Sequence, residues 1–460
     1  MKLAALDSYE TIGVVGLGQT GLSCVRYLLQ RDIVPVMFDT RKEPPGLTEL
    51  KELCADIELH DIEIHTGALE IEHVLGLDLL IVSPGVDLRL PALQLAIDAA
   101  IPVVGDMDLF ARHANKPVLG ITGSNGKSTV TRLVADLLIA AGKKVAMGGN
   151  IGVPVLDLVG EAADVFVLEL SSFQLELMHD LHLRGATLLN ISDDHMDRYN
   201  DLRDYSNAKH RIYNRTDIAV WNREQEMTAP ALIPLNAQVT FGLSPSEERG
   251  PDMFGLRQID GDIVIEFSGE PLVRASELKM TGTHNLLNVQ AALALVYSVG
   301  VNPTDVVDAL KQFKGLPHRC EPLGEISNVQ WVNDSKATNI GAAEAAIFGL
   351  RPLVSGKLIL IAGGDGKGAD FSHFRAALQQ VDVVIVLGKD AERIANQVEH
   401  AVRVKTLEQA VATAAELADA NSMVLLSPAC ASLDMFKNYE HRGDEFRRLV
   451  MQLTKTAKSN

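Results

Sequence analysis

Short unbroken runs of Val, Ile and Leu alternate along the chain with stretches whose apolar residues recur at helical spacing. The runs include Ile12–Val15, Asp78–Val82, Val118–Thr122, Val165–Leu170, Ala186–Ile191, Leu358–Ala362, Val383–Leu387 and Met423–Ser427. Runs of this kind, closed by glycine or a helix cap, are what parallel strands buried on both faces look like. Their alternation with helices predicts right-handed crossovers and doubly wound α/β sheets. Helices are predicted at Thr20–Gln30 and Leu202–Tyr213. The apolar stretch Leu286–Val301 is interrupted by Asn288, Gln290 and Ser298, so it reads as a buried helix and not as a membrane span.

The pattern falls into three blocks. The first runs to about Gly105. The second opens with the strand and glycine-rich loop of Lys116–Lys127, carries a polar insert at Ser244–Glu270 read as a hairpin, and ends after a helix near Pro303–Phe313. The third begins near Leu316–Cys320 and alternates strands and helices to the C-terminus. Linkers at Ile101–Asp106 and Lys314–Pro317 give domains of 1–105, 106–315 and 316–460. A length of 460 residues agrees, at roughly 150 residues per domain.

Composition narrows the classes. Hydrophobic residues make up 47%, enough for several cores and too many for a disordered chain. The formal net charge of −18 argues against a nucleic-acid partner, although it leaves room for local basic pockets. Cys24, Cys54, Cys320 and Cys430 form no C-x-x-C pair and are too sparse for a disulfide framework, so they read as reduced thiols of a cytoplasmic protein. Met1–Glu10 has no apolar core of a signal peptide.

Two glycine loops carry the first chemistry. Gly16-Leu-Gly18-Gln-Thr-Gly21 lies between a strand and a helix, with Asp39 ending the next strand. The spacing matches a dinucleotide fingerprint with Asp39 as the ribose acid; NAD and another diphosphate nucleotide both fit it, and a packing turn is the plainer reading. Thr122-Gly123-Ser124-Asn125-Gly126-Lys127-Ser128-Thr129 follows an apolar run. Its amides would form an anion nest, Lys127 would reach terminal phosphates, and the Ser128 hydroxyl would suit Mg²⁺. Ile121 stands where a P-loop has its first glycine.

Other candidates sit at strand ends, which face the ligand crevice in an open parallel sheet. Glu169 precedes Ser171-Ser172-Phe173-Gln174, and Asp193-Asp194-His195-Met196-Asp197 follows another run. Glu169 suits a hard ion better than His195 does; a helix cap and a hydrogen-bonded loop histidine are equally open. Asn150 lies in the glycine turn Gly148–Gly152, and Lys209 reads from composition as an exposed helix lysine. The third block offers His318-Arg319, Asn333–Asn339, Gly363-Gly364-Asp365-Gly366-Lys367 and Ser427–Ser432. The last three follow apolar runs and should share one sheet edge.

In this order the motifs resemble the Mur ligases, ATP-dependent amino-acid ligases of peptidoglycan precursor synthesis. The resemblance rests on Thr122–Thr129, Glu169, Asp194–Asp197, His284-Asn285 with Asn288, His318-Arg319 and Asn333–Thr338. It implies a Rossmann-like first domain, a central P-loop NTPase-like domain and a Rossmann-like third domain. Asp39-Thr40-Arg41, Ser83-Pro84-Gly85 and Gly363–Lys367 resemble the members that join D-glutamate to UDP-N-acetylmuramoyl-L-alanine.

On that resemblance the first domain holds the UDP substrate through Thr20, Asp39, Thr40, Arg41, Ser83 and Gly85, with Asn150 near the reacting end. ATP would lie on Gly123, Asn125, Gly126, Lys127, Ser128 and Thr129, with Asn288, Arg319, Asp334 and Lys336 around it. Two Mg²⁺ sites are implied, drawing on Ser128, Glu169, His195 and a carbamylated Lys209. Thr338, Lys367 and Ser432 would hold D-glutamate, while Tyr439, near a position where relatives can carry Phe, is assigned no contact. Lys127, His195 and Lys209 are the catalytic candidates of a cytoplasmic monomer. The rivals are an NAD-dependent oxidoreductase, a nucleotide-gated binding module, a sister Mur ligase and a folate-polyglutamylating enzyme.

Overall fold

The fold was described from a computed structural model covering residues 3–56, 62–246, 253–280 and 282–457. The first sheet contains β1 (Ile12–Val15), β2 (Val36–Asp39), β3 (Ile64–Thr66), β4 (Leu79–Val82) and β5 (Val103–Val104) in the order β3-β2-β1-β4-β5. Its paired strands are parallel. β1 and β4 are buried along their whole length, which is why their sequences are apolar without alternation.

The second sheet is built from β6 (Val118–Thr122), β7 (Val145–Gly149), β8 (Val165–Glu169), β9 (Leu183–Leu188), β10 (Thr216–Asn222) and β11 (Gln238–Phe241), ordered β11-β10-β9-β6-β8-β7. These pairs too are parallel. β6 lies between β8 and β9, so the loops leaving these three strands open into one crevice at the point where strand order reverses. β9 begins earlier than the expected Ala186–Ile191 and ends at Leu188. Past it, Asn190 turns its side-chain oxygen to the backbone amide of Asn125, at 2.8 Å.

The insert departs from the expected hairpin. β12 (Phe254–Ile259), β13 (Asp262–Phe267) and β14 (Glu270–Arg274) form a three-stranded antiparallel meander. Residues 247–252 of the insert, and Met1 and Lys2, lie outside the described residues. Phe254, Ile265 and Val273 bury their side chains in the central core beside Val239 and Phe241, and so anchor the third strand.

The third sheet contains β15 (Glu321–Ile326), β16 (Val329–Asn333), β17 (Leu358–Gly363), β18 (Val383–Leu387), β19 (Ala401–Arg403) and β20 (Met423–Leu426), ordered β15-β16-β20-β17-β18-β19. Only β15 among them pairs antiparallel. Its half-exposed, polar sequence gave no apolar run to predict it from.

The helices run close to expectation. They span Gln19–Leu29, Leu202–His210 with a further 3₁₀ turn at Arg211–Tyr213, and Thr283–Ser298, the last buried nearly all round. One continuous core joins the first two domains, taking in Val14, Phe110 and Phe166. The third domain keeps cores of its own. Among the described residues no helix is long and apolar enough to cross a membrane.

Candidate active site

Both glycine loops are shaped by constraints that a side chain would break. Gly16 has φ +95°, and its carbonyl accepts the Ser83 hydroxyl at 2.8 Å. A Cβ on Gly21 would collide with that same carbonyl, so strand and helix approach this closely only with glycine there. In the second loop Gly126 has φ +84° and caps helix Lys127–Ala140 without a side-chain hydrogen bond. The helix therefore presents free N-terminal amides and the positive end of its dipole, a setting for phosphate. Ile121 belongs to β6, paired with Glu169 and Thr187, and is fully buried, so the loop begins later than in a standard P-loop.

Three contiguous cavities open along these loops. The first, of about 540 Å³, is lined by Thr20, Asp39, Thr40, Arg41, Ser83 and Gly85 from the first domain and by Asn150 from the central one. Asp39 is no free acceptor. Its buried carboxylate takes the Leu17 amide at 2.7 Å and both the amide and the guanidinium of Arg41. Burial pushes its pKa up, but the Arg41 side-chain bonds and the two amides outweigh this and hold it below the ordinary value. Asp39 thus shapes the loop and aims Arg41, instead of offering an open carboxylate to a ribose.

The central cavity, of about 620 Å³, brings together Lys127, Ser128, Glu169, His195, Lys209, Thr338 and Lys367. It shares Asn150 and Phe173 with the first cavity. Asn125, Gly126, Arg319 and Lys336 line both it and a third cleft of about 470 Å³. Asn288, Thr129 and Asp334 face that third cleft. Gly123 contributes its carbonyl, which accepts the Lys127 ammonium at 2.7 Å. Ser432 is buried and lines none of these three cavities. The expected D-glutamate contact is therefore not open to a ligand in this arrangement.

The central cavity carries five basic side chains against three acidic ones, in a chain of net charge −18. Burial lowers the pKa of Lys127 even though Glu169 and Asp194 pull the other way. Burial, with Arg319 and Lys127 nearby, brings Lys336 down to about 8. Crowded cations in a low-dielectric pocket are stabilised by a polyanion.

Lys209 is 1% exposed, contrary to the exposed lysine its composition suggested. Its ammonium lies 3.4 Å from the Thr122 hydroxyl and 4.7 Å from the centre of the Tyr205 ring. Burial, then repulsion from Lys127, lowers its pKa well below the ordinary value. The shift favours the uncharged amine, which is the nucleophilic form.

Glu169 receives the Asn150 amide on Oε1 at 2.8 Å, while its buried Oε2 has no hydrogen-bond partner among the described residues. An unsatisfied carboxylate oxygen of this kind fits a hard cation. Among the described residues no three His, Cys, Asp or Glu side chains form a group able to hold a metal. An ion here would also draw on the Ser128 hydroxyl and on oxygens brought by substrate or by a modified Lys209. His195 has φ +57°, and its ring packs edge-on to Phe173. Burial, despite Asp194, keeps its pKa below the ordinary value, so the ring is neutral at pH 7.

Several lining residues had no role assigned from sequence. Asp194 and Asn339 sat inside motifs already singled out, Phe173 follows Glu169 by four residues, and Tyr439 places its ring 4.0 Å from the Lys336 ammonium. The residue types were visible; their convergence was not.

Family models match the whole architecture. A Mur ligase MurD-like N-terminal domain covers residues 10–105, a Mur ligase middle domain 121–296, and a Mur ligase glutamate ligase domain 318–430. Three parallel-sheet domains around a phosphate loop, matched in this order, place the chain in the Mur ligase family. It is 47% identical over 469 residues to a protein of Idiomarina loihiensis named UDP-N-acetylmuramoylalanine-D-glutamate ligase, covering 98% of this chain and 99% of the relative. A Pseudomonas aeruginosa protein of the same name is 46% identical, covering 98% of this chain and all of the relative.

Among solved structures, UDP-N-acetylmuramate-alanine ligase MurC from Thermotoga maritima shares the fold with a TM-score of 0.57 at 21% identity, over 96% of this chain and 99% of that one. MurF from Acinetobacter baumannii does so with 0.58 at 18% identity, over 84% and 93%.

Proposed function

We propose that the chain is an ATP-dependent ligase that adds D-glutamate to UDP-N-acetylmuramoyl-L-alanine in peptidoglycan precursor synthesis. The observation that carries this reading is the continuity of the three cavities, with Lys127, Glu169 and His195 around the middle one. The UDP substrate would occupy the first cavity and ATP the third, so that the carboxylate and the γ-phosphate meet between them. The near-full-length relatives named for this reaction support the choice of amino acid over the sister ligases. Saturation of the Asp39 carboxylate argues against the NAD reading.

The chemistry joins two unreactive partners. A substrate carboxylate oxygen attacks the γ-phosphorus of ATP, and ADP leaves. The D-glutamate nitrogen then attacks the acyl carbon, and phosphate departs from the tetrahedral intermediate. The first step brings two anions together, so charge neutralisation dominates. Lys127 swings from the loop carbonyls to the phosphates, and the amides opening helix Lys127–Ala140 hold the transferred group. Arg319 and Lys336 bracket the nucleotide. Glu169 and Ser128 would hold Mg²⁺, with His195 and a carbamylated Lys209 serving a second site; the ions supply hard positive charge between phosphate and carboxylate. Burial favours the uncharged form of the Lys209 amine, the form that takes up CO₂. The incoming amine attacks in its neutral form, and its proton would pass to a basic group near His195 or to a phosphate oxygen.

Thr338 and Lys367 face the same cavity and would orient D-glutamate; Ser432 would need the third domain to shift. All three cavities are lined by residues of one chain, so the reading needs no residue from a second subunit. The test is phosphate release with UDP-N-acetylmuramoyl-L-alanine, ATP and Mg²⁺ across a panel of amino acids. Release dependent on D-glutamate is expected. Release with another amino acid alone points to a sister ligase, and none at all removes the reading.

A further inference from the structure

Asn339 of the third domain touches both the phosphate loop, at Asn125, and the His195 loop, at Asp194, through its single side chain. It caps helix Ile340–Leu350, its Oδ1 accepting the Ala342 amide at 2.8 Å. That bond fixes which way the carboxamide faces. Nδ2 then donates to Asp194 Oδ2 at 3.1 Å and to Asn125 Oδ1 at 3.3 Å. Asn125 is held in turn by the central domain, its amide donating to Asn190 Oδ1 at 2.8 Å. Asp194 receives a second group from the third domain, with Lys367 Nζ 3.7 Å from Oδ1. The same carboxylate accepts the His195 amide at 3.1 Å and lies 3.7 Å from His195 Nε2.

We propose that Asn339 is a positioning residue that couples docking of the third domain to the placement of Asp194, and through it of His195, beside the phosphate loop. The physical reason lies in the groups it joins. The Asp194 side chain is 13% exposed and stands next to a residue in left-handed backbone conformation, so its carboxylate holds one geometry only when its oxygens are satisfied. Both of its third-domain partners leave together if that domain swings away. The first two domains share an apolar core and keep their arrangement, whereas this junction is polar and can break and re-form. The catalytic loop would then be ordered only when the amino-acid-binding domain has arrived. Acyl phosphate would not form in a cavity open to water.

This rests on the ligase reading above, and the test separates the two. Asn, Asp and Ser are near-equivalent helix N-caps. If Asn339 served only as a cap, Asn339→Asp and Asn339→Ser would match the parent enzyme. If it clamps Asp194, the order is Asn, then Ser, then Asp: the shorter Ser hydroxyl keeps the cap but lacks the separate Nδ2 donor that reaches Asp194, and Asp adds a carboxylate facing Asp194. Phosphate release with UDP-N-acetylmuramoyl-L-alanine, ATP and D-glutamate is measured for each, with KM for every substrate and the melting temperature.

The expected result is kcat lowered about tenfold in Asn339→Ser and about a hundredfold or more in Asn339→Asp, a range set by the loss of a positioned group. KM for UDP-N-acetylmuramoyl-L-alanine should stay within twofold, because that cavity lies in the first two domains. Equal kcat in all three proteins overturns the proposal, as does a fall that tracks the melting temperature. If Asn339→Asp does not fold, the Ser variant decides alone. An inactive parent enzyme overturns the ligase reading, and with it this proposal; an active parent with unaffected variants overturns only the clamp.

Discussion

The Arg319 guanidinium donates a 2.7 Å hydrogen bond to the Ser128 hydroxyl, joining the third domain to the first turn of the phosphate-loop helix across 191 residues of sequence. Ser128 is thereby held with a lone pair still available, and Arg319 stands where the third cleft meets the central cavity. Arg319→Ala should lower kcat by roughly 10²-fold or more, in the range seen for loss of one preorganised electrostatic group. Arg319→Lys should recover only part, since a point charge lacks the planar fork. Steady-state phosphate release against ATP concentration checks this. An Ala variant within threefold of the parent would remove Arg319 from the reaction.

Lys127 rests on the carbonyls of Gly123 and Ser124, at 2.7 and 2.8 Å, with burial lowering its pKa. It carries desolvated charge that phosphate would satisfy. Lys127→Ala should cost about 10³-fold or more in turnover, by the precedent of phosphate-clamping cations, without lowering the melting temperature. Activity assays paired with thermal melts test both halves, and normal velocity in the variant refutes the phosphate role.

For Lys209 the expected behaviour is chemical rescue. Lys209→Ala should be nearly inactive, and acetate or formate should restore part of the rate by supplying the lost carboxylate. The parent enzyme should lose activity in CO₂-depleted buffer and regain it with bicarbonate. A correctly folded variant that no small carboxylate rescues counts against the carbamate.

Asp106 gives a pH prediction away from the reaction. Burial raises its pKa from 3.8 to about 7. Its folded pKa lies above the unfolded one, so the folded state binds more protons between about pH 4 and 7, and its stability falls as pH rises through that window. Asp106→Asn keeps the acceptor for the Met107 amide and cannot ionise. The variant should be more stable than the parent at pH 8, by up to about 4 kcal/mol at 1.36 kcal/mol per pH unit. That advantage should vanish near pH 4. Denaturant titrations at the two pH values measure it, and a pH-independent difference would show that the Asp106 charge is not the cause.

Much of this was legible in the chain. The uninterrupted runs marked the strands because both faces of those strands are buried. Gly16–Gly21 and Thr122–Lys127 marked the two strand-to-helix loops because tight turns and close backbone approach exclude side chains. β15, the third strand of the insert and the strands β3, β5, β7, β10, β11 and β19 were not named from the sequence, because short, edge or partly exposed strands carry a weaker apolar signal. Asp39 had the spacing of a ribose acid, yet its carboxylate is consumed by Leu17 and Arg41.

By itself the sequence determined the buried strands, the predominantly parallel pairing and the kinds of chemical group at strand ends, because these follow from local sterics and from apolar periodicity. Tertiary structure alone decided which of those groups meet. It buried Lys209, left a Glu169 oxygen without a partner among the described residues, kept Ser432 buried outside the cavity lining and set Asn339 against Asp194. Burial and proximity set the charge state and reach of a side chain, and both depend on residues distant in sequence, which no local pattern records.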